Sequence, residues 1–137
     1  TVCIIPYENN GVYLIRQYRH AVSQHLWQFP GGLMEPSISE VNMARKELLE
    51  EAGFSATKFK KLGTICPEPG LTTENVFIYL ATGLQKKKTQ IEKSEIGMEL
   101  KFFPITTLKK MISRGKIHCG ITLSAYLLLD LFLTAQY

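Results

Sequence analysis

The sequence is poor in the features that would remove it from the ordinary class of globular chains. Cysteine occurs three times, at Cys3, Cys66 and Cys119. An odd number at wide spacing argues against a disulfide frame or a cysteine-ligated zinc site, and fits reduced, mostly buried thiols in a cytoplasmic protein. The longest apolar run, Ile121 to Leu133, is interrupted by Ser124 and Asp130 and falls short of the ~20 residues of a spanning helix. No signal-peptide pattern, low-complexity tract or internal repeat is visible. His20, His25 and His118 stand at no metal-ligand spacing. The chain starts at Thr1 inside an apolar run, without Met, so a segment is expected to be missing upstream.

What remains is a chain of 137 residues, 45% hydrophobic and 20% charged, read as one domain over residues 1–137 with a real core. Its net charge of +4 comes mostly from Lys58, Lys60 and Lys61, from Lys86-Lys87-Lys88, and from Lys109-Lys110. These lysines read either as solvated faces or as a weak steering field for anions. Aromatic residues do not interleave them as a single-strand platform requires, so neither a nucleic-acid nor a membrane partner is expected.

Local signals divide the chain into short elements. Thr1 to Pro6 and Val12 to Tyr18 read as strands joined by a hairpin turn at Asn9-Asn10-Gly11, residues that tolerate positive φ. Leu26 to Phe29 is a short apolar segment stopped by a turn at Pro30-Gly31-Gly32. A helix is predicted from Ile38 to Ala52, with Ser37 as N-cap, Glu40 completing a capping box and Gly53 as the stop. Strands are predicted at Lys58 to Cys66, Glu74 to Thr82 and Glu99 to Pro104, and helices at Thr106 to Ser113 and Ile121 to Leu133. Lys86 to Ile96 is read as a mobile polar excursion. Elements mixed in this order imply a mixed β-sheet sandwiched between helices, an α/β/α arrangement on the border of the α+β and α/β classes.

The chemistry concentrates on the central helix. At 100° per residue Val41, Ala44, Leu48 and Ala52 form its buried stripe, while Glu40, Glu47 and Glu51 fall together on another, with Glu50 beside them. Like charges at these spacings repel by a few tenths of a kcal/mol (~0.2–0.5) per pair. Either the face is merely solvated, with Lys46 balancing Glu50, or it gathers a hard cation such as Mg²⁺ or Mn²⁺ that binds substrate phosphates as well. Trp27 and Phe29 read as core residues or as rings stacked on a base.

Gly32-Leu33-Met34-Glu35-Pro36-Ser37-Ile38, leading to Lys46-Glu47-Leu48-Leu49-Glu50-Glu51-Ala52-Gly53-Phe54, resembles the Nudix box. That pattern is Gly, five residues, Glu, seven residues, then Arg-Glu-apolar-any-Glu-Glu-any-Gly-apolar, so the box covers residues 32–54. Two positions depart from it: Ile38 stands where the box has its first Glu, and Lys46 where it has Arg. In the family these are a supporting acid and base, and Lys lacks the guanidinium fork. Losing such support can cost 10–100-fold.

The resemblance runs over nearly the whole chain and is closest to the ADP-ribose pyrophosphatases. It is carried by Arg16-Gln17-Tyr18-Arg19, by Leu26 to Gly32, by Pro69 fifteen residues after Phe54, and by Gly115-Lys116-Ile117. It implies Mg²⁺-dependent hydrolysis of a nucleoside diphosphate sugar, ADP-ribose first, with Mn²⁺ as a possible substitute. The implied metal ligands are Glu47, Glu50, Glu51 and the Gly32 carbonyl, with Glu50 and Glu51 also in the catalytic set. Arg19 would contact the diphosphate or terminal ribose, joined by Trp27, Phe29 and Glu74. A loop base is implied at Glu95, with Glu92 as the alternative. A homodimer is also implied. Ile38 and Lys46 motivate a rival, a domain that senses a nucleotide sugar without cleaving it; the lysine clusters motivate another, an RNA- or protein-interaction module.

Overall fold

Asn9 and Asn10 both take left-handed backbone conformations, with φ of 49° and 54°, and close a two-residue hairpin in which Glu8 faces Gly11. The turn therefore rests on the two asparagines. Gly11 is needed for a different reason, because a Cβ there would lie 2.3 Å from the Phe102 ring. The computed structural model describes residues 1–88 and 97–135.

The hairpin joins β1 (Val2–Glu8) to β2 (Gly11–Arg19), followed by β3 (Gln24–Gln28) and the two-residue β4 (Gly31–Gly32). After the helix come β5 (Phe54–Ile65), β6 (Val76–Lys86) and β7 (Glu99–Pro104), then α2 (Ile105–Ser113) and α3 (Gly120–Thr134). The sheet order is β3-β2-β1-β6-β5, with β4 pairing β1 and β7 pairing β2. Pairing is antiparallel except between β1 and β6, which run parallel from Val2↔Phe77 to Pro6↔Ala81.

That parallel pair is the centre of the molecule, and its residues show why. Val2, Ile4 and Tyr79 point into one core cluster with Met43, Ala44 and Leu48 of the central helix. Cys3, Ile5, Ile78 and Leu80 point into the other, with Leu108, Ala125 and Leu129 of α2 and α3. Strands covered on both faces need apolar residues at successive positions, which is what Val2-Cys3-Ile4-Ile5 supplies. The mixed sheet between helical layers agrees with the sandwich expected.

Three expectations about local structure are corrected. Gly31 and Gly32 do not turn the chain; they are extended and pair with Cys3 and Val2. The helix starts later than predicted: its N-cap is Ser39, whose Oγ accepts from the Asn42 N–H at 3.3 Å, not Ser37. Ser37 is instead the third residue of a turn in which the Ile38 N–H donates to the Glu35 carbonyl at 3.3 Å. Pro36 suits the second position of that turn, and the positive φ needed at the third falls on Ser37, at 66°. Finally, the helix is regular only over Glu40–Glu47 (α1); Leu48–Ala52 forms a wider π turn, ended by Gly53 at φ 70°. Met43 joins the buried stripe, while Val41 is only half-buried.

Of the thiols, all free, only Cys3 is buried; Cys66 is exposed and Cys119 half-buried. No helix among the described residues is long and apolar enough to cross a membrane. A left-handed conformation costs an L-residue about 1–2 kcal/mol, against a smaller entropic cost for glycine. Ser37→Gly is therefore expected to stabilise the fold by up to about 1 kcal/mol, measured as a higher denaturation midpoint with an unchanged slope.

Candidate active site

Two carboxylates of the central helix converge on β4. Glu51 Oε2 accepts the Gly31 N–H at 2.8 Å. Glu47 lies so close to the next residue that a Cβ on Gly32 would sit 2.3 Å from Glu47 Oε1. The two glycines thus serve separate needs. Gly31 lets β4 approach β1, since its Cβ would meet the Val2 carbonyl oxygen at 2.3 Å; Gly32 leaves room for a carboxylate against the backbone. A π turn adds a residue to one helical turn, an irregularity common at functional sites. Here it lies over Glu50 and Glu51, changing their angular offset from Glu47 relative to a regular helix.

A cavity of about 220 Å³ opens beside these groups, lined by Arg19, Gln28, Phe29, Gly31, Gly32, Leu33 and Glu51, together with Cys3, Cys119 and Thr122. Arg19 Nε donates to Gln28 Oε1 at 2.8 Å, and Gln28 Nε2 donates to Cys119 Sγ at 3.1 Å. One amide therefore links the exposed Arg19 guanidinium to the half-buried Cys119 thiol. Burial disfavours the Cys119 thiolate, but nearby Thr122, the Gln28 amide and the Ile121 N–H outweigh it and hold the pKa below the usual thiol value. Burial pushes the Cys3 thiol the other way, well above that value. A larger cavity, about 480 Å³, is lined by Tyr7, Lys58, Lys60 and Phe132 among others. It contains none of the box carboxylates, so the smaller one is the candidate site.

The predicted residues are distributed as follows. Glu51, Gly32, Arg19 and Phe29 line the cavity, and Glu47 abuts Gly32. Phe29 is 5% exposed and belongs to the core, so it forms a wall. Trp27 is outside the lining; its ring packs edge-on against Phe103 at 5.1 Å, within the core, as the first of its two readings had it. Glu74 is bonded to the Thr1 hydroxyl, and Thr1 lies at the cavity edge. Glu50 is half-buried one turn from Lys46. Glu92 and Glu95 lie outside the described residues.

Glu40 does not join the other carboxylates, contrary to the helical-wheel expectation. Its Oε2 accepts from Lys61 Nζ and from Tyr79 Oη, each at 2.8 Å, which ties the start of α1 to β5 and β6. The bond from Lys61 lowers the Glu40 pKa, against a smaller opposing effect of burial, with Tyr79 helping to lower it. Burial, then the bond to Glu40, pushes Tyr79 up to about 12.

Sequence reasoning also missed Gln28, Cys119 and Thr122 as cavity residues, and Glu35 as the partner of Lys46. Gln28 lay inside a motif already singled out; for Cys119 and Thr122 no local signal existed.

The donor set suits a hard divalent cation. Among the described residues, no three His, Cys, Asp or Glu side chains gather into a complete metal centre. Mg²⁺, however, is commonly held by one or two carboxylates plus substrate phosphates, not by an all-protein cage. Two glutamates against a glycine backbone, beside a cavity with an arginine in its lining, meet that requirement.

The arrangement defines a class, a carboxylate helix facing a Gly-Gly strand at the edge of an α/β/α sandwich. The NUDIX domain model matches residues 1–118, and the chain belongs to the Nudix family. It is 31% identical over 129 residues to an ADP-ribose pyrophosphatase of Mycobacterium tuberculosis, covering 92% of this chain and 62% of that protein. It is 30% identical over 128 residues to a GDP-mannose pyrophosphatase of an Enterobacter species, covering 88% and 66%. The chain thus spans less than two thirds of the length of these relatives. A crystal structure of an ADP compounds hydrolase superimposes with a TM-score of 0.89 over 98% of this chain and 72% of that one; at 24% identity, this is a likeness of fold.

Two predictions follow from the geometry. Gly32→Ala forces the end of the Glu47 side chain, not backbone, to move. It should therefore leave stability within about 1 kcal/mol while weakening Mn²⁺ binding by about 10-fold or more, as measured by titration of free Mn²⁺. For the Glu40 clamp, a lowered carboxylate pKa gives stability that is present at neutral pH and lost as pH falls through the lowered value. The raised Tyr79 pKa gives stability lost as pH rises from about 10 toward 12. The denaturation midpoints of wild type and Glu40→Gln should therefore differ most near neutrality and converge as pH falls through the lowered Glu40 value.

Proposed function

We propose that this protein hydrolyses the diphosphate bond of a nucleoside diphosphate sugar in a Mg²⁺-dependent reaction, with ADP-ribose the first candidate and AMP and ribose 5-phosphate the products. The observation that carries this reading is the convergence of Glu47 and Glu51 on Gly31–Gly32 at the rim of the Arg19 cavity. Relatives named as ADP-ribose and GDP-mannose pyrophosphatases support the same substrate class.

Glu47 and Glu51, helped by Glu50 and the Gly32 carbonyl, would hold the cation. Mg²⁺ supplies charge neutralisation at the phosphates and a water of lowered pKa, a role that Mn²⁺ can also fill. Arg19 can bind phosphate oxygens or the terminal ribose in bidentate fashion, and its bond to Gln28 fixes where that fork starts. Phe29 and Leu33 shed water from the cavity wall. Glu95, with Glu92 as its alternative, is the proposed base on the resemblance alone; a base must come within hydrogen-bond reach of the attacking water. A homodimer and a cytoplasmic location belong to the same proposal, the latter supported by three free thiols.

The test is a panel of ADP-ribose, ADP-glucose, ADP-mannose and GDP-mannose with Mg²⁺, read as nucleoside monophosphate released. Turnover should stop in EDTA, and Glu51→Gln should lower kcat by about 100-fold or more. Full activity of Glu51→Gln would remove this helix from the mechanism. Binding without release would instead support the sensor reading, and tight, salt-dependent RNA binding that persists in EDTA would support an interaction module.

A further inference from the structure

Both positions at which the box departs from its pattern are bonded by Glu35, a residue the pattern leaves open: its carboxylate accepts from Lys46 and its backbone carbonyl from the Ile38 N–H. Lys46 Nζ donates to Glu35 Oε1. Ile38, at the box's acid position, is half-buried against the cluster containing Met43, Ala44 and Leu48. The turn from Glu35 to Ile38, with Pro36 inside it and Ser37 at φ 66°, sets the backbone that carries Glu35 opposite Lys46. The carboxylate missing at 38 is thus present three residues earlier, on the same loop.

We infer that Glu35 and Lys46 form a relocated supporting pair, acting as positioning residues for the proposed cation site. This rests on the reading of Glu47 and Glu51 as its ligands. As a contribution to stability the pair is minor, since both side chains are exposed by more than a third and such bridges contribute little in water. Its importance lies in what each partner does to the site. The bond to Glu35 is the main influence on the Lys46 ammonium, which also feels Glu50 and Glu47. Engaged by Glu35, that ammonium is restrained from folding onto Glu50, four residues on, or Glu47, where it would compete with a divalent cation for the same oxygens. The bridge also fastens the loop after Gly32 to α1, holding the Gly32 backbone against Glu47. Ile38 and Lys46 are then signs of a moved pair, not of a lost one, and the chain retains turnover.

The experiment compares Glu35→Gln, Lys46→Met and the Glu35→Gln/Lys46→Met double variant. It also includes a triple variant that adds the box's own pair, Glu35→Gln with Ile38→Glu and Lys46→Arg. Free Mn²⁺ is followed by electron paramagnetic resonance without nucleotide, and kcat and KM are then measured with ADP-ribose. Both single variants should melt within a few degrees of wild type. Each should bind Mn²⁺ about 10–100-fold more weakly, with kcat falling to a similar extent and KM changing little. The double variant should be no worse than the worse single, and the triple should recover to within a few-fold of wild type. Unchanged Mn²⁺ affinity in Glu35→Gln overturns the inference, as does a triple variant no better than Glu35→Gln alone. A wild type that cleaves no nucleotide sugar would instead remove the substrate reading, and the Mn²⁺ affinities would still decide this one.

Discussion

The contact between β4 and the carboxylate end of the central helix depends on two residues that have no side chains. Gly31 can lie against the Val2 carbonyl, and Gly32 against the Glu47 carboxylate, only because neither carries a Cβ. The Gly31 N–H to Glu51 bond then fixes the helix relative to β1. The same carboxylate that holds the helix end to β4 lines the candidate cavity, so one contact serves both packing and the site.

Two anchors hold that helix. At its start, Glu40 binds Lys61 and Tyr79 of the neighbouring strands; at its end, Glu51 binds β4. Between them Met43, Ala44 and Leu48 are buried against Val2, Ile4 and Tyr79. Acidic residues on one helix thus divide between holding the helix and facing the cavity, with the division set by what the adjacent strands present. Charge repulsion along the helix is relieved in part by spatial separation and by Lys61 on Glu40.

Features determined by neighbours in sequence were legible without a structure. The Asn9-Asn10 turn, the stop at Gly53 and the spans of α2 and α3 follow from local backbone preference, and each falls within a residue or two of expectation. Features set by distant contacts were not. Gly31-Gly32 looks like a turn in isolation and becomes a strand only because β1 lies beside it. Ser37 resembles a cap until Pro36 and Ile38 close a turn around it and pass the cap to Ser39. The π turn at Leu48–Ala52 has no side-chain signature. Of the candidate site, the glutamate cluster was legible from helical spacing, and Gly32 and Arg19 only through the resemblance to the Nudix family, whereas Gln28 and Cys119 meet from positions 91 residues apart.

The most direct test of the account is a crystal of the protein soaked with Mn²⁺ and a non-hydrolysable ADP-ribose analogue, with the anomalous signal used to locate the ion. The account predicts a peak bounded by Glu47, Glu51 and the Gly32 carbonyl, with diphosphate oxygens completing its shell and Arg19 on the ligand. Ordered nucleotide in the cavity with those carboxylates turned to solvent and no anomalous peak beside them would contradict it.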